Sequence, residues 1–84
     1  MQCFVYASRR KPDTYVWLRQ RDHFDLLPAT LLEQLGELHF VLDVDLTPER
    51  RLPREQAATV LANLGEQGWY LQLPPADTPT APAI

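Results

Sequence analysis

Four stretches of the chain have the pattern of β-strands: the first two and the last are rich in aromatic and β-branched residues, and the third alternates between apolar and polar positions. The four predicted strands cover residues 2–7, 14–20, 38–46 and 69–73. In the third, every second residue from Leu38 to Leu46 is apolar, which predicts one buried face. The same alternation predicts that His39, Asp43 and Asp45 share the opposite, more polar face.

The apolar spacing changes to a helical period in two segments. Pro28 fits the first turn of a helix and Gly36 fits its end, so a short first helix is predicted between them. A second amphipathic helix is predicted to open at Pro53 and to end at Gly65 and Gly68. The residues predicted to face the core are Leu27, Leu31, Leu32 and Leu35 in the first helix and Ala57, Val60, Leu61 and Leu64 in the second.

The element order is therefore β-β-α-β-α-β, which predicts an α/β (α+β) domain. The short turn between the first two strands, residues 8–13, favours an N-terminal antiparallel hairpin. The two strand-helix-strand units favour parallel pairing, so we expect a mixed four-stranded sheet with helices packed on it. Residues 1–75 form the predicted domain, and residues 76–84 form a Pro-rich C-terminal tail that is predicted to be disordered.

The length and cysteine count exclude several classes of protein. With 84 residues the chain forms one small domain, in which a deep internal active site is not expected. A single cysteine, Cys3, excludes an internal disulfide and a four-cysteine zinc site. The N-terminus has no export signal and the apolar runs are too short to span a bilayer, so a cytoplasmic location without membrane partners is expected.

The charges are segregated along the chain, although the net charge is only −3. Residues 1–21 contain five basic residues and one aspartate, a net charge of +4. Residues 22–49 contain seven acidic residues and no lysine or arginine, a net charge of −7. An acidic protein is a poor general nucleic-acid binder, yet the local basic region is able to steer a polyanion.

The basic residues supply the sharpest functional hypothesis. The predicted second strand puts Arg19 and Arg21 on one face with Tyr15 and Trp17, and cations interleaved with aromatics are typical of single-stranded nucleic-acid platforms. The predicted hairpin tip adds the cations Arg9, Arg10 and Lys11. The alternative is that the two aromatic residues pack under a helix while the arginines only solvate the end of the strand.

Two weaker candidates concern catalysis. Asp43 and Asp45 lie roughly 7 Å apart on one strand face, a spacing that suits a carboxylate pair in a small hydrolase. The alternative is a solvated strand end, because the pattern places no further acid–base partner. His39 lies about 13 Å from Asp43, too far to share one ion, and Cys3 is predicted to be a small buried hydrophobe. No metal site, cofactor or catalytic residue is predicted.

Several segments together resemble one protein family. They are the aromatic first strand with its basic turn, Thr14–Leu18, the Phe24 to Gly36 segment, Arg51–Leu52 and the octet Gly68-Trp69-Tyr70-Leu71-Gln72-Leu73-Pro74-Pro75. On these residues the chain resembles the YcgL family of small proteobacterial proteins, over about residues 3–75. The resemblance implies an α/β/α sandwich and no established activity. The proximity of some family genes to that of ribonuclease D suggests a link to RNA turnover.

These observations predict a non-catalytic binding module with two candidate contact surfaces. One is the basic hairpin, and the other is the end of the last strand that bears Tyr70 and Gln72. The expected partner is RNA or an RNA-processing protein. The alternatives are another protein partner, bound through the aromatic last strand, and the hydrolase that uses Asp43 and Asp45.

Overall fold

The computed structural model describes residues 1–52 and 55–74, which form four strands, two α-helices and one short 3-10 helix. The element order confirms the prediction. In chain order the strands are β1 (Gln2–Ser8), β2 (Tyr15–Leu18), β3 (Leu38–Asp45) and β4 (Trp69–Gln72), and the α-helices are α1 (Ala29–Leu35) and α2 (Ala57–Glu66). The 3-10 helix, Phe24–Leu26, precedes α1. The predicted tail, residues 76–84, and the predicted helix start at Pro53 lie outside the described residues.

The predicted limits of the helices are largely correct. Pro28 occupies the N-cap of α1, and Gly36 occupies its C-cap, where its backbone N–H donates to the carbonyl of Leu32. The helix α2 ends between the two predicted glycines, because it continues through Gly65 to Glu66 and is followed by Gly68, whose φ is +87°. A glycine only weakens an exposed helical position, and its neighbours are held by packing on the sheet.

All four strands belong to one sheet with the spatial order β3-β1-β2-β4. The N-terminal hairpin of β1 and β2 is confirmed. The expected mixed sheet with parallel neighbours is wrong, because all three strand pairs are antiparallel. The connection through α1 passes over β1 before it enters the sheet as β3. Strands β2 and β3 therefore run in the same direction but are separated by β1, to which both are antiparallel.

The helices cover opposite sides of the sheet, which confirms the α/β/α sandwich. On one side α1 packs on a cluster called here the α1 core. Its buried residues are Tyr6, Val16, Leu18, Leu27 and Leu35. On the other side α2 packs on the α2 core, whose buried residues are Cys3, Val5, Trp17, Val44, Leu46, Ala57, Val60 and Leu64. Strands β1 and β2 contribute to both cores, so both faces of the central hairpin are buried.

A β-bulge in β3 changes which of its side chains face each core. Val5 pairs with Leu42 and Tyr6 pairs with Phe40, so Val41 is an extra residue opposite β1. The predicted single apolar face of β3 is therefore wrong. Leu38 packs against the α1 core, whereas Val44 is buried in the α2 core, although both have the same parity along the strand. One inserted residue moves every later side chain of the strand to the opposite face of the sheet.

No helix among residues 1–52 and 55–74 has the length and hydrophobicity required to cross a bilayer.

Two glycines provide a matched test of backbone strain in this fold. Gly36 has φ of +68°, and a Cβ added there would lie 3.2 Å from the side chain of Arg10. We expect Gly36→Ala to lower the free energy of unfolding by about 1–3 kcal/mol. Gly65 is helical, and a Cβ added there meets nothing within 4 Å in the described structure, so Gly65→Ala should raise stability by about 0.5–1 kcal/mol. Urea denaturation of the two variants checks this, and changes of equal sign would contradict it.

Candidate binding groove

An open groove of about 350 Å³ lies on the α2 side of the sheet, next to the α2 core. The strands supply a largely apolar wall that includes Tyr15, Trp17 and Leu42. The segment that leads into α2 supplies the opposite wall, with Arg50 and Arg51. The groove therefore combines an apolar surface with two exposed cations, and this combination suits an anionic ligand that also has an apolar part.

The arginine wall is positioned by the chain between β3 and α2. Leu46 is buried, and its backbone N–H donates to the Met1 carbonyl over 2.8 Å. A turn follows, in which the N–H of Arg50 donates to the carbonyl of Thr47 at 3.0 Å. Arg51 then forms an isolated antiparallel bridge with Gln56. These contacts bring the backbone of Arg50 and Arg51 over the sheet, while their side chains remain exposed.

Two hydrogen bonds organise the polar groups beside the groove. The indole N–H of Trp17 donates to Oε1 of Gln72 over 2.9 Å, which places the Gln72 amide in the groove lining. The hydroxyl of Tyr70 donates to Oε1 of Glu55, another lining residue. Tyr70 and Gln72 pair with Trp17 and Tyr15 across β2 and β4, so all four share the α2 face. Of the predicted surface at the end of the last strand, Gln72 lines this groove and Tyr70 contacts the lining residue Glu55.

The hairpin tip is held against the end of α1. The buried hydroxyl of Ser8 donates to the Leu35 carbonyl over 2.6 Å. Nη1 of Arg10 donates to the carbonyl of Glu33 at 2.8 Å, and Nε of Arg9 lies 3.7 Å from a carboxylate oxygen of Glu37. Two of the three tip cations therefore contact helix or loop groups of the same domain, and Lys11 is exposed beside them.

The other predicted cations lie at the opposite end of the hairpin. Strand β2 ends at Leu18, so Arg19 and Arg21 follow the strand instead of extending it. The Arg21 guanidinium lies 4.6 Å from the centroid of the Phe40 ring, on the α1 side of the sheet. The prediction that Arg21 shares a face with Tyr15 and Trp17 is therefore wrong. Arg19 lines a separate recess of about 240 Å³ next to the end of α2.

The two predicted catalytic aspartates share one face of β3, on the α1 side of the sheet, as the alternation predicted. Asp43 and Asp45 pair with Phe4 and Gln2 of β1, and neither lines the groove. A carboxylate oxygen of Asp45 lies 3.6 Å from the N-terminal ammonium group. His39 pairs with Ala7 on the other side of the bulge, so the predicted common face with Asp43 is wrong. Within the described ranges, no three acidic, histidine or cysteine side chains are arranged to hold a metal ion.

Cys3 is fully buried, as predicted, and burial raises the pKa of its thiol. Its Sγ lies 3.5 Å from the Val44 carbonyl oxygen. A buried thiol with a raised pKa is a poor source of thiolate, so the side chain serves as packing in the α2 core.

Sequence reasoning missed Arg50, Arg51 and Glu55 as residues of the groove. Each lies in a polar connection, where no period indicates the direction of a side chain. The available signal was the pair of adjacent arginines immediately before an amphipathic helix. That pair becomes informative only when the connection is known to fold back over Tyr15.

The Tyr70–Glu55 contact predicts a pH effect. Burial, followed by the hydrogen bond and negative charge of Glu55, raises the pKa of Tyr70 to about 12 from an ordinary value near 10. Between these values the unfolded chain loses a proton that the folded chain keeps. The Tyr70 contribution to stability is therefore complete below pH 10 and is lost as the pH rises toward 12.

We expect the urea midpoint of Tyr70→Phe to fall less between pH 10 and 12 than that of the wild type. The pKa of Tyr6 is also raised by burial, and this contribution is common to both proteins. Equal falls in the two proteins would show that the Tyr70–Glu55 contact does not influence the titration.

Comparison with known proteins identifies the family. The YcgL domain profile matches residues 3–75. A YcgL domain-containing protein of Thioalkalivibrio sulfidiphilus is 51% identical over 75 residues, which cover 89% of this chain and 93% of that protein. One of Xanthomonas euvesicatoria is 58% identical over 74 residues, covering 88% and 86%, and one of Stenotrophomonas maltophilia is 50% identical over 76 residues, covering 90% and 88%. Their names state no activity. The chain belongs to the YcgL domain family.

Proposed function

We propose that this YcgL domain is a non-catalytic cytoplasmic binding module, and that its groove on the α2 side binds an acidic segment of a protein partner. The observation behind this proposal is the pairing of Arg50 and Arg51 with an apolar wall in one groove. A segment that presents an acidic residue beside an apolar one matches both walls. The groove volume lies near the lower end of the range of roughly 300–1,000 Å³ for small-ligand sites, so one or two side chains fill it.

The charge distribution supports an acidic ligand. Arg50 and Arg51 are exposed, whereas the carboxylate of Glu55 accepts a hydrogen bond from Tyr70. The groove therefore has two cations and one carboxylate, within a chain whose net charge is −3. The cations of the groove attract an acidic segment, and most of the remaining surface does not.

RNA is the second candidate ligand. The half-buried ring of Tyr15 lies in the groove with Arg50 and Arg51, and this combines a stacking surface with cations. The basic residues of the original hypothesis are dispersed, since Arg9 and Arg10 are at the hairpin tip and Arg21 lies over Phe40. An RNA that contacted both the hairpin tip and Arg21 would have to extend from one end of the sheet to the other. We therefore favour the protein ligand.

Trp17 fluorescence tests these alternatives directly. Replacing Trp69 by Phe leaves Trp17 as the only tryptophan, and its indole borders the groove. The two probes are a capped peptide of alternating Glu and Leu and a single-stranded poly-uridine oligonucleotide, each titrated at low and high salt. We expect the peptide to change the fluorescence. Arg50→Ala/Arg51→Ala should weaken its binding by roughly tenfold, because two exposed ion pairs of up to about 1 kcal/mol each are lost.

The matched control is Arg9→Ala/Arg10→Ala, which removes the same charge at the hairpin tip and should bind the peptide like the wild type. Oligonucleotide binding that falls steeply with salt and is lost in the control variant would assign the function to the basic hairpin. Peptide binding that is equal in all three proteins would exclude the groove as its site.

A further inference from the structure

Within residues 1–52 and 55–74, strand β3 forms one edge of the sheet and pairs only with β1. It is eight residues long, whereas the opposite edge strand, β4, has four residues. The outer side of an edge strand presents backbone N–H and C=O groups that are able to pair with another chain. The β3 edge is therefore the longer backbone template of the two.

The β3 edge is also apolar at its middle. Phe40, Val41 and Leu42 are 40%, 41% and 45% exposed, and they supply half of the large hydrophobic side chains that are exposed among the described residues. The bulge distributes them over both sides of the sheet. Phe40 contacts Tyr6 on the α1 side, while Val41 and Leu42 line the groove on the α2 side. An added strand would therefore cover apolar surface on both of its faces.

Proteins commonly protect such an edge with lysine, proline or a β-bulge. Strand β3 contains neither lysine nor proline, its bulge leaves Phe40, Val41 and Leu42 exposed, and its acidic residues are Asp43 and Asp45. The exposed apolar middle of β3 is thus followed by two acidic side chains, which do not repel a cationic segment.

Charge determines which occupant fits. In an antiparallel pair with a second copy, the Asp43–Asp45 end of each β3 would meet residues 37–40 of the other chain, which contain no lysine or arginine, so Asp43 would find no cationic partner there. A segment with lysine or arginine beside its apolar residues instead meets Asp43, which forms no ion pair among the described residues. The Arg21 guanidinium already occupies the face of the Phe40 ring, so a partner cation has no place there.

We propose that the β3 edge binds an extended segment of a partner protein as an additional strand. The segment alternates in apolar residues and has a lysine or arginine positioned opposite Asp43. This surface is distinct from the arginine wall of the groove, because Asp43 lies on the α1 side of the sheet, opposite Phe4.

The probe is a capped synthetic peptide of about eight residues, with alternating valine and threonine and a lysine at each end, so that either direction brings a cation to Asp43. The protein is isotope-labelled, and amide shifts and cross-strand contacts are recorded by NMR during titration. We expect shift changes concentrated in residues 38–45 and new contacts from the peptide to β3. The same peptide N-methylated at every residue has no backbone N–H to donate on either edge and should lose this binding.

Charge variants test the orientation. Asp43→Lys should weaken binding of the lysine peptide by roughly two- to fivefold, which corresponds to a cross-strand ion pair of up to about 1 kcal/mol. The same variant should bind a peptide with glutamate ends more tightly than the wild type does. Glu66→Lys makes the same charge change on α2 and should bind the lysine peptide like the wild type. Arg50→Ala/Arg51→Ala should also bind it normally, which separates this proposal from the groove.

Three outcomes would overturn the proposal. The first is shift changes concentrated outside β3, and the second is equal binding of the N-methylated peptide. The third is concentration-dependent shifts in residues 38–45 without peptide, which would identify a second copy of the chain as the occupant.

Discussion

The bulge at Val41 is the constraint on which both cores depend. Strand β3 is the edge strand beside β1, and β1 is buried on both faces by Tyr6 on one side and Val5 on the other. A regular β3 would direct all of its even-numbered apolar residues to one side of the sheet. With one extra residue, Leu38 and Phe40 extend the α1 core, while Val44 extends the α2 core. A single strand thereby serves two hydrophobic layers, which helps a chain of 84 residues to build a sandwich.

The same bulge also shapes the groove, because it brings two successive side chains of β3 into the groove lining. Val41 and Leu42 both reach the groove, because the backbone does not alternate between them. The chain that leaves β3 turns over this surface, and it brings Arg50 and Arg51 across from Tyr15. At the far side, Gln72 and Tyr70 of β4 orient Trp17 and Glu55 through hydrogen bonds. The groove is therefore assembled from all four strands and one connection, which are distant in sequence.

Local sequence patterns predicted the helices and strands well, but they predicted the pairing of the strands poorly. Pro28 and Gly36 mark the ends of α1, and the apolar stripe of α2 identifies its buried face, since both signals depend on neighbours within one or two turns. The parallel pairing expected from strand-helix-strand units was wrong. That expectation assumed adjacent strands, whereas β1 intervenes between β2 and β3. Arg21 illustrates the same limit, because extending β2 past Leu18 assigned its side chain to the wrong side of the sheet.

The sequence by itself determined the element order, the family and the burial of residues such as Cys3, because hydrophobic periodicity, helix caps and family motifs are read from nearby residues. Only the tertiary structure decided the strand order, the bulge at Val41 and the grouping of Arg50 with Tyr15 and Gln72. These features depend on the register between strands far apart in the chain. Register is selected by the simultaneous burial of both faces of β1, and no local pattern contains that information.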